Sequence, residues 1–164
     1  MRAFFIAAVV ALSLPFTALA KVHPIPDEDP IATITLPDNW DVDDLDDGIE
    51  VASPDDSVYL AIEALDLVDS KAAMAEAFKF FDKKGITVDN SSQKQNEFTV
   101  NGLGAFELGF KGRDEDGPTN VKITVIMVGP ATALMVTYWA SDEGEKNLSG
   151  EMSSIIGSVQ AAKK

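Results

Sequence analysis

Residues 98–140 read FTVNGLGAFELGFKGRDEDGPTNVKITVIMVGPATALMVTYWA. Apolar residues recur at every second position through Phe98-Thr99-Val100, Phe106 to Phe110, Val121 to Val128 and Ala133 to Ala140. That period belongs to strands, whose successive side chains point to opposite faces. The interruptions are turn chemistry. Asn101-Gly102 supplies two residues tolerant of positive φ, the strongest short hairpin signal. Gly112 to Thr119 and Gly129-Pro130 make the next two breaks. Strands joined by turns this short can pair only antiparallel, so the stretch predicts a meander. Phe106, Leu108 and Phe110 share one side, while Ile126 and Val128 face away from Val125 and Met127. Both sheet faces near that end therefore need an apolar cover.

Working outward, two segments can supply it. Before the meander, Met74, Ala77, Phe78 and Phe81 fall at i, i+3, i+4 and i+7, one helical stripe. Asp69-Ser70 reads as its N-cap and Gly85 as its stop, and Lys83 and Lys84 complement the dipole in the last turn. After the meander, Ser141 or Asp142 opens a second helix with Leu148, Met152, Ile155, Ile156 and Val159 as its stripe. Upstream strands are expected at Ala32–Leu36, Ile49–Val51 and Val58–Leu65, with Ser53-Pro54-Asp55-Asp56 as an Asp-capped turn. Residues Asn39 to Gly48 and Asp89 to Asn96 read as irregular polar stretches. The expected fold is α+β: a mostly antiparallel sheet with a helix layer on each face, an α/β/α sandwich.

This order resembles the Mog1/PsbP-like α/β/α sandwich, including the small exported bacterial proteins of DcrB type. The residues that carry the likeness are Leu36-Pro37-Asp38-Asn39-Trp40, Ser53-Pro54-Asp55 and Ile155-Ile156-Gly157-Ser158-Val159. It spans roughly residues 31–159. The group includes accessory subunits of the photosynthetic oxygen-evolving complex, a partner of a nuclear-transport GTPase and bacterial envelope proteins. The resemblance therefore implies a protein-binding accessory without catalytic activity. It implies no site residues, because fold alone does not give function.

The N-terminus reads as an export signal. Met1-Arg2 is a short positive start, Phe4 to Phe16 is apolar apart from Ser13, and Ala18-Leu19-Ala20 offers small residues where a signal peptidase reads them. The expected division is a signal peptide at 1–20, a flexible proline-rich leader at 21–30 and one globular domain at 31–164. The expected location is periplasmic or secreted, with no membrane association once the signal is removed. There is no cysteine, which excludes a disulfide framework, thiol catalysis and Cys-type zinc sites.

Charge is distributed unevenly. The chain has 13 basic and 27 acidic residues, a formal net charge of −14. Fifteen of the acids lie between Val22 and Ser70, where there is no Lys or Arg. Such a field repels nucleic-acid phosphates and favours a basic protein surface or a cation as partner. The density peaks around Trp40, with Asp41, Asp43, Asp44, Asp46 and Asp47 close by and Glu50 just beyond. Trp40 with those five aspartates is the candidate partner-binding set. Asp43, Asp44, Asp46, Asp47 and Glu50 form the alternative, a Ca²⁺ site of clustered oxygens, although the EF-hand spacing fails at Leu45 and Asp46. A plain solvated anionic loop is the third reading. Catalysis has little to build on. His23 is the single histidine and sits in the expected leader, and no Ser-His-Asp set, HExxH, GxSxG or phosphate loop occurs. Only a carboxylate-based hydrolase remains as an enzyme alternative.

Overall fold

The computed structural model describes residues 19–163. The export-signal reading falls mainly on residues 1–18, outside the described residues. Among the described residues, no helix is long and apolar enough to cross a membrane.

The meander forms as its alternation dictates. Strands β6 (Thr87–Val100), β7 (Leu103–Arg113), β8 (Pro118–Met127) and β9 (Thr132–Ser141) pair antiparallel in succession. The 101–102 turn has φ of 49° at Asn101 and 82° at Gly102, the two positive values an Asn-Gly hairpin needs. On the far side of β9 lie β5 (Val58–Asp66), β4 (Gly48–Ala52) and β3 (Asp41–Leu45). The seven strands run β3-β4-β5-β9-β8-β7-β6. A smaller sheet consists of β1 (Ala20–Ile25), β2 (Ala32–Pro37) and β10 (Gln160–Ala161), with β2 in the middle. The helices are α1 (Ser70–Lys83) and α2 (Asp142–Gly157). The protein is thus α+β, with mostly antiparallel sheets and two helices.

Two apolar clusters hold the fold, and β9 shows how. Its Leu134, Val136, Tyr138 and Ala140 join a cluster with Leu60, Ile62, Ile155 and Val159. The intervening Ala133 and Met135, with Trp139 packed alongside, join Ala77, Phe81 and Ile123 in the other. Alternation along one strand sends its neighbours to different cores. The small sheet contributes Ile25, Ile34 and Leu36 to the first cluster, all essentially inaccessible to solvent.

Three segments differ from the sequence reading. Residues 21–25, expected as part of the flexible leader 21–30, lie in β1, which pairs with β2 from Ala20↔Pro37 to Ile25↔Ala32. Pro24 is tolerated there because β1 is an edge strand, where a missing N–H costs no ladder bond. The acidic stretch 39–48, expected as irregular, contains β3. Its pairing with β4 supplies the strand that Asp propensity opposes. The polar stretch 89–96 lies inside β6, an outer strand that needs few apolar residues, with its register broken between Asp89 and Lys94. The α1 span agrees with the sequence, but its cap does not. The Asp69 side chain makes no capping bond, and the preceding 3₁₀ turn is capped by Asp66, which accepts from Val68 N–H at 3.1 Å. Ser141 caps α2, accepting from Gly144 N–H at 3.0 Å.

Candidate functional site

The acidic segment becomes the rim of the large sheet. The β3–β4 hairpin pairs Asp43 with Glu50 and Asp44 with Ile49. Asp41, Asp43 and Leu45 consequently face the same way as Glu50, while Val42 and Asp44 face the other way. Val42 packs onto the first apolar cluster, which anchors the strand despite its charges. The hairpin closes through Asp46-Asp47-Gly48, and the carbonyl of Asp47 accepts from Ala64 N–H at 2.8 Å. Gly48 is required at that point. A Cβ there would lie 1.9 Å from the Ile62 carbonyl oxygen and 2.8 Å from Glu63 Cα.

Behind the rim, a cleft of about 510 Å³ separates β4 and β5 from α1. Asp47, Glu50 and Glu63 line its sheet side, and Lys79 and Lys83 its helix side. The Glu63 carboxyl is pushed above its ordinary range, first by burial and then by the negative charges of Asp47 and Glu50. Tyr59 stacks on Trp139 with 3.8 Å between ring centroids. Its hydroxyl is buried without a hydrogen-bond partner among the described residues, and its proton is held more tightly by burial and by the nearby charge of Glu50. Lys84 Nζ sits 5.2 Å from the Tyr59 ring centroid and 5.3 Å from that of Phe80. Lys79 pairs with Glu76 on its own helix and so does not close on the acidic wall. Among the described residues the ion pairs are Lys79–Glu76, Lys111–Asp142 and Lys122–Glu145. None of the fifteen acids of residues 22–70 takes part.

The expected sites are partly brought together. Asp41, Asp43, Asp46 and Asp47 share the exposed hairpin. Trp40 does not present a face to a partner: it is 4 % exposed, packs in the first cluster and donates its indole N–H to Glu151 at 3.0 Å. The calcium set is not assembled. Asp43 and Asp44 point to opposite faces of β3, and among the described residues no three His, Cys, Asp or Glu side chains converge as a metal site. His23 lies on β1 opposite Ile34, and burial followed by Lys21 lowers its affinity for a proton, against the pull of Asp44 and Asp38. The turn chemistry is as read. Asp55 accepts from Ser53 Oγ at 2.7 Å, Ser57 Oγ at 2.7 Å and Ser57 N–H at 3.2 Å, which holds its carboxyl below the usual range, the Ser57 side chain contributing most. Asp114 accepts from the N–H groups of Asp116 and Gly117.

The arrangement of these layers has counterparts among solved structures. The cyanobacterial PsbP (CyanoP) of Synechocystis sp. PCC 6803 superposes with a TM-score of 0.57, covering 95% of this chain and 98% of that one at 9% identity. LpqN of Mycobacterium tuberculosis, described as involved in cell envelope biogenesis, gives 0.54 over 88% and 92% at 16% identity. The Ran-binding protein Mog1p of Saccharomyces cerevisiae gives 0.53 over 88% and 96% at 10% identity. The chain has a Mog1/PsbP-like fold. At such identities the likeness concerns shape and transfers no site residue. No protein-family model and no curated protein sequence matches the chain. The Mog1/PsbP-like fold seen here carries six acids, Asp41, Asp43, Asp44, Asp46, Asp47 and Glu50, on the β3–β4 hairpin at one sheet edge, and that edge is legible only from this chain's own residues.

Proposed function

We propose that this is an exported, non-catalytic accessory protein that docks a basic protein surface on the acidic β3–β4 edge, through Asp41, Asp43, Asp46, Asp47 and Glu50. In this reading it works in a periplasmic or extracellular compartment, as an α/β/α sandwich with one helix on each face of the large sheet. The separate cores behind α1 and α2 support that layering.

One observation carries the docking claim: fifteen acids within residues 22–70 have no ion-pair partner among the described residues. Like charges directly opposite each other in a ladder destabilise a sheet, and Asp43 faces Glu50 in just that way. A partner's lysines and arginines would relieve both costs. Mog1p, which shares the fold, is described as Ran-binding, and that favours a protein partner.

The test is affinity purification from a native extract at graded salt. Wild-type protein should retain a basic protein at about 0.05 M salt and release it by about 0.5 M, where screening is nearly complete. Asp41→Asn, Asp43→Asn, Asp46→Asn and Asp47→Asn combined should capture none of it. Equal capture by the combined variant refutes the assignment.

A further inference from the structure

A second cleft, of about 500 Å³, opens beside α2. It lies across the sheet from the acidic wall, since Leu60 on its floor and Glu63 are an odd number of residues apart on β5. Its existence follows from the sequence of α2. Ser149, Ser153 and Gly157, spaced four apart, line the cleft and leave unfilled the volume that larger side chains would occupy. The accessible lining is apolar along Phe98, Met152 and Ile156, with the buried Leu60 and Val136 packed beneath. Polar groups converge at one end. Lys122 is engaged by Glu145 and lies 5.0 Å from the Tyr138 ring centroid, so its charge is already matched. Glu107 is different. One of its oxygens accepts from the Thr124 hydroxyl at 3.2 Å, and it has no cationic partner among the described residues. Burial, then the negative charges of Glu145 and Glu107, tighten the hold of Tyr138 on its proton. A concave site of this size, mainly apolar with a few converging polar groups, has the anatomy of a small-molecule pocket.

We propose that this cleft binds a small amphipathic amine, with its ammonium group on Glu107 and its hydrocarbon chain against Phe98, Met152 and Ile156. The sign follows from the charges at the polar end: two carboxylates against one lysine. A carboxylate-headed ligand would meet Glu107 unfavourably. An uncharged alcohol would gain the apolar lining without the head group. The site is separate from the β3–β4 edge and does not rest on its docking role.

The probe is n-hexylamine, with hexanol and hexanoate as matched controls, titrated by calorimetry and followed by amide chemical shifts. Hexylamine should saturate one site and move the amides of Phe98, Thr124 and Met152. Hexanol should bind about tenfold more weakly, as expected for loss of one charge-assisted hydrogen bond. Glu107→Gln keeps the size and the Thr124 contact, and should weaken hexylamine about tenfold while leaving hexanol unchanged. Ser153→Leu should fill the cleft and abolish binding of both without lowering the melting temperature. Equal binding of hexylamine and hexanol, undiminished binding by either variant, or shifts confined to residues 41–50 would each overturn the proposal.

Discussion

Gly48→Ala tests whether the acidic edge depends on its shape as well as its charge. The added Cβ would fall 1.9 Å from the Ile62 carbonyl oxygen, far inside an ordinary contact of about 3.5 Å. The obstructing atoms are backbone of β5, which β9 holds along nine paired positions on its other side. The β3–β4 hairpin must therefore give way. Separation there removes the Ala64-to-Asp47 hydrogen bond, about 1 kcal/mol net. Residual overpacking adds about 1–3 kcal/mol. The total of about 2–4 kcal/mol corresponds to a melting temperature lower by roughly 6–12 °C for a chain of this length. Thermal denaturation by circular dichroism measures it. Gly104→Ala is the control, because no atom lies within 4 Å of its Cβ. It should change stability by less than about 0.5 kcal/mol. The net charge is the same in all three proteins, so weaker partner capture by Gly48→Ala alone would trace to geometry. A Gly48→Ala melting curve within about 2 °C of wild type would refute the reasoning.

Substitutions at two further residues probe the electrostatics and the tie between hairpin and helix. The folded state holds the Glu63 proton more tightly than the unfolded chain does, so the protein binds more protons when folded and stability falls as pH rises through the folded value. The favourable contribution is fully present only below the unfolded carboxyl pKa of about 4.3. Glu63→Gln should therefore raise the melting temperature at pH 7, with the gain vanishing toward pH ~4; a gain independent of pH would contradict the assignment. Asn101 donates its side-chain amide to the carbonyls of Gly157 and Val159, both at 2.8 Å, from a backbone with φ of 49°. Asn101→Ala loses both bonds and strains the turn, costing about 2–4 kcal/mol, and Asn101→Gly should recover the backbone part only, as urea denaturation would show.

What could be read in advance was what periodicity encodes. The meander, α1 and α2 were legible because their apolar residues repeat at strand or helix spacing over ten positions or more. The three misread segments share one physical cause. Each lies on an outer strand, and an outer strand can be specified by pairing with its neighbour instead of by its own apolar pattern. β3 shows this most clearly, with Val42 and Leu45 as its apolar side chains among three aspartates. Trp40 could be read two ways. Its place after Leu36-Pro37 favoured packing over the sheet and its acidic neighbours a binding face; it packs in the first apolar cluster, with its indole N–H on Glu151 more than a hundred residues away. The acidic cluster was visible as composition. Its division between two faces of a strand was not, because that depends on where β3 begins. The cleft beside α2 was equally hidden, although its small-residue spacing at Ser149, Ser153 and Gly157 is a signal that could have found it.

The most direct measurement is amide chemical-shift mapping with a lysine-rich peptide as the basic probe. The chain contains its own control, because the turn at Asp114-Glu115-Asp116 is also acidic but adjoins Arg113 and belongs to the half of the chain whose charges are nearly balanced. A docking edge on β3–β4 predicts shifts concentrated at residues 41–50 and at Glu63, disappearing as salt is raised. Shifts of similar size at residues 114–116, or none at the hairpin, would show that the charge is diffuse and that the edge is no site.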